Sequence, residues 1–180
     1  MRVIAGSLKG RRLKAPTWDG LRPTSDKLRE TLFNILAPRI RGARVLDGYA
    51  GTGAIGIEAI SRGAAMVTFV ERDRRAQGLI AENLAHCGVE SGYAIIRETV
   101  ARAIDDCGVT KAFEIVLLDP PYDQQPDAVM AAAGELLTRQ GVLVLEHARR
   151  QAAPEAAGSL VRVREVASGS SALAFYELNM

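Results

Sequence analysis

The 180-residue chain has few of the features that would staple, export or anchor a protein. It contains two cysteines, Cys87 and Cys107, far apart and in no CxxC pattern. A disulfide framework and a thiolate metal site are therefore unsupported, and a reducing cytoplasm is the expected location. Residues 1–9 carry no apolar core of the kind a secretory signal needs. The apolar runs, such as those at 115–118 and 142–145, are short and none could span a bilayer. No internal repeat and no low-complexity tract interrupts the chain. What is present is close to half hydrophobic (48%), enough for a chain of this length to bury one core.

The net charge of +2 hides an asymmetry. Residues 1–41 carry ten basic side chains against three acidic ones, a net of +7, which leaves −5 for the remainder. A basic arm on a mildly acidic body suits a polyanionic partner.

The elements follow from periodicity. Residues 2–15 read as a small β-hairpin punctuated by Gly6 and Gly10, and 16–23 as a turn-rich loop. Thr24 or Ser25 can cap a helix that shows Leu28, Leu32, Ile35 and Leu36 on one face and ends near Pro38. From Ala43 the chain alternates strands and helices. Strands are expected at 44–47, 66–71, 93–97, 113–119 and 141–146. The helices between them span 54–62, 73–87, a short stretch ending near Asp106, and 126–137. Two period-two segments, 160–166 and 173–178, close the chain as a hairpin. The reading is a doubly wound, mostly parallel α/β domain over 42–180, with a C-terminal antiparallel hairpin and a basic hairpin-and-helix extension over 1–41. Ligands of such sheets bind beyond the carboxyl ends of the strands, so the residues just after the strands are the informative ones.

After the first strand comes Asp47-Gly48-Tyr49-Ala50-Gly51-Thr52-Gly53-Ala54-Ile55-Gly56. Gly51, Gly53 and Gly56 fit the GxGxxG spacing shared by dinucleotide enzymes and methyltransferases. Three residues separate Asp47 from the first of these glycines, whereas dinucleotide folds bring the glycines closer to the strand. A carboxylate there can orient S-adenosylmethionine, which has no pyrophosphate to cradle. Glu71, about twenty residues on, can accept the ribose hydroxyls of either ligand.

Asp119-Pro120-Pro121-Tyr122 follows the fourth strand. Consecutive prolines hold the chain extended and remove two backbone donors. The Asp119 carboxylate and the Pro120 carbonyl are then fixed acceptors. Two acceptors on the hydrogens of an exocyclic amine favour pyramidal nitrogen and free its lone pair to attack a sulfonium methyl. Tyr122 can stack on the base that carries the amine. No His, Cys and Asp cluster calls for a metal.

With these motifs in hand, the chain resembles the RsmD family of bacterial small-subunit ribosomal RNA guanine-N2 methyltransferases. The resemblance runs through Arg2-Val3-Ile4-Ala5-Gly6, Lys9-Gly10-Arg11-Arg12-Leu13, Arg22-Pro23-Thr24, Arg29-Glu30 and Leu32-Phe33-Asn34-Ile35-Leu36. It continues in Tyr49-Ala50-Gly51-Thr52-Gly53-Ala54, Glu58-Ala59, Ser61-Arg62-Gly63-Ala64 and Asp119-Pro120-Pro121-Tyr122. It implies a class I, Rossmann-like methyltransferase fold, S-adenosylmethionine as donor and guanine N2 of 16S rRNA as acceptor. On this basis Asp119, Pro120 and Tyr122 are the catalytic candidates. Asp47, Tyr49, Gly51, Thr52, Gly53, Glu71, Arg72, Thr99, Val100 and Asp119 are the cofactor candidates. Arg11, Arg12, Arg22, Thr24, Arg29, Pro121 and Tyr122 are the substrate candidates, with the arm facing RNA. Relatives tend to hold the adenine with an Asp where this chain has Arg97-Glu98-Thr99. Ser168-Gly169-Ser170-Ser171 replaces a more aromatic and charged stretch. The expected partner is small-subunit rRNA within an assembled or assembling 30S particle, met by a monomer.

Three rivals make different demands. An adenine-N6 DNA methyltransferase shares Asp-Pro-Pro-Tyr but usually adds a target-recognition region, for which no stretch here is long enough. A nicotinamide dehydrogenase leaves residues 119–122 unexplained. A non-catalytic RNA-binding assembly factor would be expected to show a damaged glycine loop or acceptor motif, and both read as intact.

Overall fold

The computed structural model describes residues 1–21, 24–106 and 112–179. Behind an N-terminal arm the elements run α1 (Asp26–Ile40), β1 (Arg44–Gly48), α2 (Ala54–Ser61), β2 (Met66–Val70), α3 (Arg74–His86) and β3 (Tyr93–Ile96). They continue as α4 (Val100–Asp106), β4 (Phe113–Leu118), α5 (Asp127–Gly134), β5 (Leu137–Ala148), β6 (Ala156–Ala157), β7 (Leu160–Ser168) and β8 (Ser171–Leu178). One sheet takes the order β3-β2-β1-β4-β5-β8-β7-β6. The pairs among β1 to β5 are parallel, and β8, β7 and β6 add on antiparallel. Among the described residues no helix is long and apolar enough to cross a membrane.

Side chains alternate across the strands, and both faces of the sheet are covered. Ile115 and Leu117 of β4 join Val45, Val67 and Phe69, under Phe33, Ile57, Ile80 and Leu84 from α1, α2 and α3. Val116 and Leu118 point the other way, to Leu46, Val70, Ile104 and Met130, where α4 and α5 lie. Two buried faces explain why these strands read as unbroken apolar runs.

Local signals set most boundaries. Ser25 caps α1 by accepting the Leu28 amide at 3.2 Å, and Asp73 caps α3 by accepting the Arg75 amide at 2.8 Å. Three expectations shift. First, the N-terminal hairpin is one antiparallel bridge, Arg2 to Arg12, inside a hydrogen-bonded loop. Second, α1 runs through Pro38 to Ile40. Pro38 and Asn34, whose carbonyl loses its helical donor, are both exposed, so water can serve that carbonyl. Third, α5 stops at Gly134, which packs on Leu160 so closely that a Cβ would stand 2.9 Å from Leu160 Cγ. The chain then turns so that Leu136 accepts the amides of Ala112 and Phe113, and Leu137 pairs with Phe113.

The arm is tied to the sheet-covering helices rather than left in solvent. Ile4 and Ala5 donate their amides to the Glu58 carboxylate at 2.8 and 3.0 Å. Ser7 donates to the Ser61 carbonyl at 2.8 Å, and Leu8 to the Ser61 hydroxyl at 2.9 Å. Gly6 sits between them at φ +86°, where a Cβ would fall 1.9 Å from the Ser61 carbonyl oxygen, so only glycine fits. Further along, Lys14 donates to the Asn83 side chain at 2.7 Å, and Asn83 donates onward to the Thr52 carbonyl at 3.0 Å.

Arg29, expected to meet RNA, is instead fully buried. Its guanidinium donates to the Arg2 carbonyl and to the Asp26 carboxylate, both at 2.7 Å. It fastens α1 to the arm, and no phosphate can reach it without unpacking that junction.

Candidate active site

The loops after β1, β2, β3 and β4 converge at the carboxyl ends of the strands, around a cleft of about 1110 Å³. After β1 the backbone enters the left-handed region at Tyr49 (φ 63°), Gly51 (φ 56°) and Gly53 (φ 75°). Gly53 then starts α2. Gly56 has a different reason to be glycine: a Cβ there would come 2.2 Å from the Phe69 ring, so α2 can lie this close to β2 only without one. The arm closes over the loop, and Leu21 would stand 3.2 Å from a Cβ on Gly51. Trp18, which shares the cleft wall, stacks over the Arg75 guanidinium at 5.0 Å.

Two carboxylates brace the glycine loop. Asp47 is buried at the end of β1, and its Oδ2 accepts the Gly56 amide at 2.9 Å. Burial pushes its pKa up to about 7, against the pull of that hydrogen bond. Glu71 accepts the Gly51 amide at 2.9 Å on one oxygen and the Asp73 amide at 2.8 Å on the other. It therefore shapes the loop first, and each oxygen keeps a lone pair for a ligand hydroxyl.

On the opposite wall, Asp119 leaves β4 and is followed by the buried Pro120, the exposed Pro121 and the half-buried Tyr122. Burial holds the Asp119 carboxyl well above the usual range, and the neighbouring Glu146 and Asp47 carboxylates push the same way. The Tyr122 hydroxyl lies 3.2 Å from that of Ser171, and Gln151 donates to the Tyr122 carbonyl at 3.0 Å. These contacts fix the turn from both sides.

Of the residues singled out from sequence, Thr24, Asp47, Tyr49, Gly51, Thr52, Glu71, Arg72, Thr99, Val100, Asp119, Pro120, Pro121 and Tyr122 all line this cleft. Gly53 lies beneath the loop, against Ile80. Arg11 and Arg12 are exposed on the arm, away from the cleft. Arg22, like Cys107, lies outside the described residues. Glu98 and Thr99 both reach the cleft wall, where Thr99 also accepts the Arg102 amide at 3.3 Å. Sequence reasoning passes over Glu146 and gives no role to the 168–171 turn, yet both line the cleft. Glu146 ends an apolar strand run just as Glu71 and Asp119 do, and that shared signal could have found it.

The charge of the lining selects among ligands. The described residues supply eight carboxylates and two guanidiniums, those of Arg72 and Arg75. A pyrophosphate would meet net repulsion there, whereas a nucleoside carrying a sulfonium and an ammonium group would be attracted. Among the described residues no group of three or more His, Cys, Asp or Glu side chains could hold a metal ion.

Comparison with known proteins agrees in scale with this architecture. The sequence model of the family described as conserved hypothetical protein 95 matches residues 1–177. YlbH of Bacillus subtilis is 38% identical over 181 residues, covering 98% of each chain. The Escherichia coli protein named ribosomal RNA small subunit methyltransferase D is 42% identical over 123 residues, covering 68% of this chain and 60% of that one. The solved structure of Escherichia coli yhhF superimposes with a TM-score of 0.83 at 33% identity, over 99% of this chain and 97% of that one.

Proposed function

The chain belongs to the conserved hypothetical protein 95 family, the RsmD family of its sequence motifs, and we propose that it methylates the exocyclic N2 amine of a guanine in bacterial small-subunit ribosomal RNA. Its fold is the class I methyltransferase fold. The observation that carries the proposal is the opening of the Asp119-Pro120-Pro121-Tyr122 turn into the same cleft as the glycine loop. One wall thus suits a nucleoside donor and the other a planar amine.

S-adenosylmethionine, when bound, supplies a methyl group activated by sulfonium. Glu71 is placed to accept ribose hydroxyls, and Asp47 to orient the donor's ammonium group. Tyr49, Thr52, Arg72, Thr99 and Val100 complete the donor wall. Asp119 and the Pro120 carbonyl accept the two hydrogens of the amine and leave its lone pair directed at the methyl carbon. As the nitrogen–carbon bond forms and the carbon–sulfur bond breaks, the nitrogen must lose a proton. Asp119, whose buried carboxyl has a raised proton affinity, is positioned to take it. Tyr122 stacks on the base.

The exposed cations of the arm, Arg2, Lys9, Arg11 and Arg12, sit outside the acidic cleft. This arrangement lets phosphates bind the arm while an uncharged base enters. The arm is small, so the reading includes a cytoplasmic monomer acting on a protein-bearing 30S particle. Equal rates on free rRNA and on particles would count against that part.

The test is incubation with methyl-labelled S-adenosylmethionine and small subunits that lack methylation at candidate guanines. Label is expected in N2-methylguanosine, and Asp119→Ala is expected to lose transfer by on the order of a hundredfold or more while binding the donor normally. Label in N6-methyladenosine would move the target. No label on subunits, rRNA or DNA would favour the assembly-factor reading.

A further inference from the structure

Glu146 sits near the end of β5, 7% exposed, on the acceptor side of the cleft. Three parts of the chain meet at its carboxylate. Thr24, from the arm, donates its hydroxyl at 3.3 Å. Ser171, the first residue of β8, donates a second hydroxyl, and the same Ser171 meets Tyr122. Among the described residues no guanidinium or ammonium pairs with it. The two guanidiniums that the described residues bring to the cleft, Arg72 and Arg75, belong to the other wall. Glu146 also lies close enough to Asp119 to raise that residue's proton affinity.

Two neighbouring carboxylates, Glu146 buried and Asp119 partly so, with no cation beside them among the described residues, are costly to the fold. A ligand that brings hydrogen-bond donors to both relieves that cost. The base edges differ in this respect. Guanine presents N1–H directly beside its N2 amine, a continuous row of donors. Adenine and cytosine each place a bare ring nitrogen, an acceptor, beside their amine. A second carboxylate next to the amine-binding group therefore pairs with guanine and opposes a lone pair on adenine or cytosine.

We propose that Glu146 accepts the N1–H of the target guanine while Asp119 and Pro120 hold its N2 amine, which makes Glu146 the residue that selects guanine. This rests on the guanine reading given above. Burial raises the proton affinity of Glu146, and Ser171 and Thr24, by donating to its carboxylate, pull against that rise and hold the group in place. They leave acceptor capacity on a group that has about four lone-pair positions. Rejection of the wrong base comes from leaving that carboxylate unpaired against an acceptor.

The experiment compares particles reconstituted with guanosine, or with 2-aminopurine riboside, at the methylated position. 2-Aminopurine keeps the N2 amine but has a bare N1. Wild-type kcat/KM is expected to fall by on the order of 100-fold with the analogue. Glu146→Gln can turn its amide N–H toward that N1. It should slow methylation of guanosine and narrow the guanosine-to-analogue ratio at least about tenfold. The lost O6 affects both enzymes alike and cancels in the comparison. Glu146→Asp, which keeps the acceptor, should be slower yet keep the wild-type preference. A guanosine-methylating wild type whose ratio is unmoved in Glu146→Gln overturns this proposal alone. The same unmoved ratio with weakened donor binding by calorimetry assigns Glu146 to the sulfonium and also overturns it. No label in N2-methylguanosine with wild type removes the functional reading and this proposal together.

Discussion

Replacing Glu58 with glutamine tests whether the arm is part of the fold. The Glu58 carboxylate is fully buried and takes three donors: Ile4 N at 2.8 Å on one oxygen, and Ala5 N at 3.0 Å with Arg62 Nε at 2.8 Å on the other. Glutamine has the same shape but a single accepting oxygen. In its better orientation the amide keeps Ala5 and Arg62 and turns its NH₂ against the Ile4 N–H. The Ala5 bond becomes neutral and the Arg62 bond loses its ion pair, a loss of roughly 1 kcal/mol, and one amide is left without an acceptor, roughly 1–3 kcal/mol. The sum is about 2–4 kcal/mol, a large share of the roughly 5–15 kcal/mol that holds a typical domain. It corresponds to a fall in Tm of about 5–15 °C at this size. Denaturant unfolding measures the free energy, and amide exchange at Ile4 and Ala5 shows whether the arm is the part that loosens. A useful control is Glu82→Gln, which removes the exposed 3.1 Å pair with Lys14 and should cost no more than about 1 kcal/mol. If Glu58→Gln costs as little as that control, and exchange is unchanged, the junction is not what holds the arm.

Two further outcomes follow from the electrostatics. Asp47 has a folded pKa of about 7 against 3.8 ordinarily, so the folded protein binds its proton more tightly than the unfolded chain does. Its contribution to stability is lost as pH rises from about 4 to about 7, and Asp119 and Glu146 act in the same direction. Asp119→Asn should therefore raise Tm above wild type at pH 8, with the gain vanishing toward pH 4. Thermal unfolding across that range decides it, and a pH-independent difference refutes the assignment. On the arm, Arg11→Ala and Arg12→Ala should weaken binding to small-subunit particles. Each should lower the salt dependence of log K by up to about 0.9 for every phosphate that is no longer neutralised. Binding titrations at several salt concentrations measure this, and an unchanged slope would remove the arm from the RNA surface.

The core of the architecture is local information. Ile115 to Leu118 read as a strand buried on both faces because their alternation leaves no polar side, and both faces are covered. Gly51 and Gly53 are legible because a left-handed backbone has few substitutes for glycine, and Asp119 to Tyr122 because two prolines dictate their own conformation. What the sequence by itself does not decide is which distant residues meet. Its N-terminal motif, with Ile4, Ala5 and Gly6, and its Glu58 and Ser61 motif are two sides of one junction, more than fifty residues apart. Arg29 has the composition of a surface cation, and only packing against Arg2 and Asp26 makes it internal. Glu146 carries the same strand-end signature as many solvated glutamates. Its meaning arises where Thr24, Asp119 and Ser171 converge, because periodicity and backbone preference act over a few residues, whereas a buried carboxylate's partners are set by the closure of the whole sheet.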